Sequence, residues 1–239
     1  MSRGFHGFAR TFAGAFAAAT VLSACTGDID PPWQLSHNRI VAVRAEPPGI
    51  TAGQTSQLDA LLAHKDSMTS VASPELAAVT SPASLSDVLT VDNGSWVVTA
   101  PSEDRLAAAR TELKLDAGAP VPLAINVSYA GGALVATKTV LLGQAAANPA
   151  LVDLMIDGKA PGDSELSVGK LVRVPLSVAA DDTVFDVDWL TSCGTMHDFD
   201  LPAAYLMVEA DDPTAGELGV VLRDGAGGVS WKIWPIQAQ

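Results

Sequence analysis

The chain has 239 residues, 14 Lys and Arg against 27 Asp and Glu, and a formal net charge of −13. A charge of that sign lacks the basic footprint that nucleic-acid binding needs, and it disfavours docking on anionic lipid headgroups through the protein surface. The length leaves room for one large or two small domains.

Met1 to Arg10 carries Arg3 and Arg10 and no acid, and Thr11 to Leu22 is apolar and Ala-rich. This is the order of a signal peptide, a basic region followed by a short apolar one. The apolar run falls far short of the ~20 residues that span a bilayer as a helix. Leu22-Ser23-Ala24 does not make a good small-x-small cleavage site, but with Cys25 it gives an aliphatic residue, two small residues and a cysteine. That pattern resembles the lipobox of bacterial lipoproteins. The resemblance implies cleavage between Ala24 and Cys25, diacylglycerol on the Cys25 thiol and two or three acyl chains in all. Two or more chains anchor stably where one does not, at ~0.8 kcal/mol per buried CH₂. Thr26 follows, not Asp, and the enterobacterial sorting rule then leans toward the outer membrane over the inner. Loss of Arg3 and Arg10 with residues 1–24 brings the charge to −15 (−13 − 2).

Residues 25–38 read as a lipidated tether containing Asp28, Asp30, Pro31 and Pro32, expected to lift the folded part off the membrane. Trp33 within it is placed to dock on the first domain or at the membrane interface. The first domain is expected over 39–143. Arg39 to Ala45 is a strand ended by Glu46-Pro47-Pro48-Gly49, and Ser56, Leu58, Ala60 and Leu62 alternate with polar neighbours. Ser102 to Leu113 is Ala-rich and reads as a short helix. Leu123, Ile125, Val127 and Tyr129 make the clearest strand, with period two and a polar or small opposite face. Gly131-Gly132 then turns the chain into Val135 to Leu141, a hairpin signal. No pattern emerges between Ser73 and Thr90.

Residues 144–150 lack strand character and read as a linker. The second domain is expected over 151–239. Strands are read at Leu151 to Asp157, at Val172 to Val178, at Phe185 to Trp189 and at Ala204 to Val208. Leu218 to Leu222 is a further strand, and Asp224-Gly225-Ala226-Gly227-Gly228 turns the chain into Val229 to Ile233. Short strands at this spacing predict an all-β fold, two immunoglobulin-like β-sandwich domains in tandem after a lipoprotein signal peptide. "GITAGQTSQLDALLA" and "SELSVGKLVRVPLSVAA" read as the same element in each domain, a Gly-containing turn that leads into an alternating strand.

With the lipobox, "RIVAVRAEPPGITAGQTSQLDAL", "DWLTSCGTMHDFD" and "DPTAGELGVVLRDGAGGVSWKIWPI", the chain resembles a group of predicted bacterial envelope lipoproteins numerous in gliding delta-class proteobacteria. The last piece is also similar to the final hairpin of bacterial immunoglobulin-like repeats. The resemblance implies fold and location and transfers no catalytic or ligand residue.

The remaining signals are weighed against plain alternatives. Acylation of Cys25 leaves Cys193 without a partner in the chain. Cys193 reads first as a small buried hydrophobe, and only then as an intermolecular disulfide or reactive thiol. Trp189 reads as the central tryptophan of a sandwich. Alternation puts Trp231 inward with Val229 and Ile233 and leaves Trp234 outward, the candidate aromatic platform for a sugar. Asp181, Asp182, Asp186, Asp188, Asp198, Asp200, Asp211 and Asp212 read as a solvated acidic surface, with calcium as the alternative. His37, His64 and His197 show no zinc-ligand spacing. Ser95 in "DNGSW" and the "DGAGG" glycines fit hairpin turns better than a nucleophile elbow or a phosphate loop, and Asn126 in "NVS" lies inside a strand. No cofactor or metal is expected. The expected role is a non-enzymatic, membrane-anchored envelope lipoprotein that serves binding, adhesion or assembly. It would engage the bilayer through acylated Cys25, an envelope protein partner and no nucleic acid. A polysaccharide-binding accessory module and a calcium-dependent structural module are the alternatives.

Overall fold

A computed structural model describes residues 31–65, 67–179 and 184–239. The first half runs β1 (Arg39–Glu46), β2 (Gly49–Ile50), β3 (Thr55–His64), β4 (Ser67–Ala72), β5 (Leu76–Ser81), β6 (Leu89–Asp92), β7 (Ser95–Thr99), α1 (Glu103–Leu113), β8 (Val121–Tyr129) and β9 (Leu134–Leu142). The second half continues with β10 (Val152–Ile156), β11 (Leu166–Val168), β12 (Arg173–Ala179), β13 (Val184–Thr191), β14 (Thr195–His197), β15 (Ala203–Met207), β16 (Ala215–Asp224) and β17 (Val229–Ala238).

Each half is an immunoglobulin-like sandwich. In the first, sheet 1 has the order β1-β3-β7-β6 with β4 also on β3, and sheet 2 the order β2-β9-β8-β5. In the second, sheet 3 is β10-β12-β15-β14 and sheet 4 is β11-β17-β16-β13. The element shared by the two sequence segments is visible in both. The opening strand pairs antiparallel in one sheet, β1 with β3 and β10 with β12. The chain then crosses to the other sheet, where β2 and β11 each pair parallel with the last strand of their half, β9 and β17. Pro47-Pro48 in one half and Pro161-Gly162 in the other stand in the crossings, where proline's missing N–H ends a ladder.

The burial pattern of β8 alternates as its sequence predicts, with Leu123, Ile125 and Val127 inside. The Ala-rich segment forms α1, with Glu103 and Asp104 in its first turn and Arg110 in its last, the favourable order for the helix dipole. The segment from Ser73 to Thr90, patternless in sequence, holds β5 and a 3₁₀ turn at Ala83–Val88 that buries Leu85 and Val88. Asn93 and Gly94 both take positive φ between β6 and β7, the geometry of a two-residue hairpin turn.

Among the described residues, three cores lie between four sheets. Leu58, Leu62, Leu123, Ile125 and Val140 belong to the core between sheets 1 and 2. Val174, Leu206, Trp189, Leu218 and Trp234 belong to that between sheets 3 and 4. A third core joins the halves: Ala42, Leu61 and Ala63 of sheet 1 meet Leu190, Val221 and Val229 of sheet 4. Residues 60–63 of β3 and 217–222 of β16 are therefore buried without a break, because both faces of these strands are covered.

Candidate binding surface

Ala24 and Cys25, the expected cleavage and acylation site, lie outside the described residues, as do Asp181 and Asp182. Trp189 is a core tryptophan, fully buried, with its Nε1 donating to the Leu201 carbonyl at 3.2 Å. The assignment of Trp234 is corrected. It is 0% exposed and its Nε1 donates to the Gly162 carbonyl at 2.8 Å. The alternation along β17 is real, but Trp234, Ile236 and Ala238 face sheet 3, while Val229, Trp231 and Ile233 face sheet 1. With both faces covered, period two could not say which side was solvent. No sugar platform exists at Trp234. Gly219 serves the same joint, since a Cβ there would stand 2.4 Å from Ile233 Cδ1.

Trp33 packs on the core of the second sandwich, not on the first. Cys193 is buried, its Sγ donates to the Pro213 carbonyl at 2.8 Å, and burial followed by the nearby Asp212 charge raises its pKa. His197 stacks on Tyr205 at 4.4 Å, and the Arg173 guanidinium sits 4.3 Å from the same ring. Asp186 and Asp188 both pair with Arg223. Asp212 Oδ2 accepts from the Glu209 amide at 2.7 Å, and Asp198 and Asp200 are exposed. Among the described residues, no three His, Cys, Asp or Glu side chains come together to hold a metal. Ser95 opens β7 after its hairpin turn, and the Asn126 side chain accepts from Thr137 Oγ1 at 2.7 Å.

The joint between the sandwiches holds polar groups that the sequence reading passed over. Glu217 on β16 is 3% exposed, and its carboxylate accepts from the Thr69 amide at 2.8 Å and from Thr69 Oγ1 at 2.9 Å. Arg44 pairs with Asp59 at 2.6 Å and lies 4.2 Å over the Trp231 ring. Asn148, in the segment between the halves, donates to the Ala45 carbonyl and accepts from the Val229 amide. Lys138 on β9 is 5% exposed and its Nζ donates to the Gly227 carbonyl, at the tip of the β16–β17 hairpin, at 2.5 Å. Burial lowers its pKa from 10.5 to about 8, against the opposing pull of Asp224 and Asp59 and with the support of Arg223 and Arg44. A cleft of about 430 Å³ runs beside it between the halves. The signal for Lys138 was present in sequence: it interrupts the inward series Ala136, Val140 and Leu142.

A concavity of about 620 Å³ lies on the open outer face of sheet 2 across β5, β8 and β9. Leu76, Ala78, Asn126, Ser128, Val135 and Thr137 are among its lining, and no lining residue is charged. Leu76 is 68% and Val135 72% exposed. On a chain of net charge −13, this face is uncharged and partly apolar.

No protein-family model and no curated protein matches the chain. Among solved structures, the titin domains z1z2 in complex with telethonin are 12% identical, with 82% of this chain and 93% of that one covered at a TM-score of 0.25. The tandem Ig repeats of Dlar are 10% identical over 83% and 97%, at 0.28. A nucleoside hydrolase-related protein from Saccharophagus degradans is 14% identical over 39% and 26%, at 0.31, so the chain spans about a quarter of its length. The fold assignment rests on the strand order of this chain.

Proposed function

We propose that the protein is a lipid-anchored, non-enzymatic subunit of a bacterial cell envelope, on the outer membrane, that presents a binding or assembly surface to another envelope protein. The observation that carries the reading is the sequence Leu22-Ser23-Ala24-Cys25 behind a basic and apolar leader. Acylation at Cys25 supplies the membrane link that an acidic surface does not. The fused body behind it supports a presenting role, with its uncharged face on sheet 2 as the surface offered to the partner.

Globomycin should leave an unprocessed precursor in cells, and Cys25→Ala should move the protein from the membrane to the soluble fraction. Unchanged processing and fractionation in both would overturn the anchor. The detergent-solubilised wild type should co-purify with an envelope partner that Val135→Glu loses. Recovery of the same partner with Val135→Glu would remove the sheet 2 face from the reading.

A further inference from the structure

The path of the chain after Pro31 places Trp33 and Leu35 along one edge of the second sandwich. The segment after Pro31 is not a free tether. It lies along the outer edge of β13, where the Thr191 amide donates to the Trp33 carbonyl at 2.9 Å and the Leu35 amide donates to the Thr191 carbonyl at 2.8 Å. Leu35 is 1% exposed and packs in the core between the sandwiches with Leu190 and Ala63. A buried leucine holds the strand in place, so no slack is left from Leu35 onward.

The same edge carries a second segment. The Trp189 amide donates to the Phe199 carbonyl at 2.7 Å. Trp189 and Thr191 are two residues apart, so Trp33 and Phe199 are held at neighbouring places along one strand edge, ~7 Å apart at the rise of a strand. Both rings are partly buried against the core of the second sandwich. Leu201 follows, 50% exposed, with its carbonyl bound by Trp189 Nε1. Two aromatic rings and an exposed leucine therefore gather where the chain emerges. Five residues, Thr26 to Asp30, separate Cys25 from Pro31, a reach of at most about 20 Å when fully extended.

We propose that the β13 edge of the second sandwich, with Trp33, Phe199 and Leu201, is the membrane-facing end of the protein and rests against a zwitterionic lipid surface. The proposal rests on the acylation of Cys25 argued above. Tryptophan and its neighbours suit the headgroup level, where one side is apolar and the other wet. The exposed Asp198 and Asp200 beside Phe199 repel anionic headgroups, which sets the preference for zwitterionic lipid. Val135 of sheet 2 lies beside Arg223 and Asp224, five and six residues along β16 from Leu218, the partner of Thr191, which is ~20 Å at the rise of a strand.

The test uses the acylated full-length protein in phosphatidylcholine–phosphatidylethanolamine vesicles that contain a headgroup-nitroxide lipid. Leu201→Cys and Val135→Cys, both at exposed positions, each carry a small fluorophore, while the buried Cys193 stays unlabelled. The label at position 201 should be quenched about threefold more than that at 135, given the ~20 Å along β16 between the two places. In the Leu201→Cys background, Trp33→Ala should lower that quenching, and 20% phosphatidylglycerol, about one anionic lipid in five, should lower it too. Equal quenching at 201 and 135, or the reverse order, overturns the proposal. Failure of the protein to float with vesicles overturns the acylation reading instead. In that case the same two variants, made with Cys25→Ser, labelled, and held to a nickel-chelating lipid by a histidine tag in place of residues 1–24, still report the orientation, and equal quenching there overturns it too.

Discussion

Lys138 is the side chain whose chemistry is most altered by its place in the fold. It extends from β9 of the first sandwich to the Gly227 carbonyl of the second and is 5% exposed. An ammonium has three donors, and burial disfavours its charge, so its pKa falls from 10.5 to about 8. The sign of the linkage follows. Below about pH 8 the lysine is charged in both folded and unfolded chains, and the burial cost is fully present. Between about 8 and 10.5 the folded chain has released the proton while the unfolded chain still holds it, so stability rises with pH. Above that window both forms are neutral and the gain levels off. The span corresponds to about 3 kcal/mol. In urea unfolding, the midpoint should therefore climb from pH 7.5 to 9.5, once the common background of the other groups is subtracted with Lys138→Met. That variant should also be the more stable protein at pH 7, since an apolar side chain of similar length removes a buried charge. A lower midpoint for Lys138→Met at pH 7 would show that the Gly227 bond outweighs the desolvation. The residue was legible as an exception in an inward-facing series. Trp234 was not legible, because its strand has no solvent face and the two apolar sides of an alternating strand look alike in sequence.

At the scale of the element, the strands fall into two kinds. Those that carry a hydrophobic alternation or end at a Gly-rich turn, such as β8, β9, β16 and β17, are legible as strands. β8 is legible in its inward face as well, whereas in β9 the series Val135, Thr137, Thr139 and Leu141 is the face away from the core and in β17 both faces are covered. β4 and β5 lacked that pattern. β4 is Ser67–Ala72, mostly exposed, with Met68 and Val71 among the exposed residues, and it is held by pairing with β3 and by Thr69. Its placement depends on Glu217, 148 residues away, and no local signal reports such a partner. The Thr69–Glu217 pair is the polar bond of the joint whose loss is most readable. Thr69→Val removes the hydroxyl donor and keeps the amide, and it should cost about 2 kcal/mol in urea unfolding, the worth of a hydrogen bond to a charged group. Glu217→Leu alone should cost more or less according to how the orphaned Thr69 hydroxyl reaches water. The decisive quantity is the coupling in the double variant. A coupling near zero would mean that the two residues act independently, whereas residues in one bond should couple by at least about 0.5 kcal/mol.

Four sheets and three cores make the whole molecule different from two beads on a string. An interface between domains of one chain is ordinarily modest and polar, and relative motion is then the default. Here the middle core has fully or nearly fully buried members from both halves, Ala63, Leu61, Leu190 and Val221, and Leu35 from the entering segment closes it. Period two marks the strands of each half but offers no means of pairing sheet 1 with sheet 4, since the residues that do so sit on faces that a lone sandwich would leave to solvent. Leu61 and Ala63 alternate with the inward Leu58, Ala60 and Leu62 and look, locally, like incidental apolar residues of a surface strand. The arrangement predicts that the halves unfold together. Calorimetry of the protein should show one transition with a van't Hoff enthalpy close to the calorimetric enthalpy, as for a two-state unit. Val221→Asp places a charge in the middle core while the outer two cores stay intact. It should split the transition in two, with the β16–β17 hairpin gaining amide exchange ahead of β8 and β9. A single transition, merely shifted to lower temperature, would instead mean that neither sandwich stands without the other, and the fused body would then be the smallest folding unit of the chain.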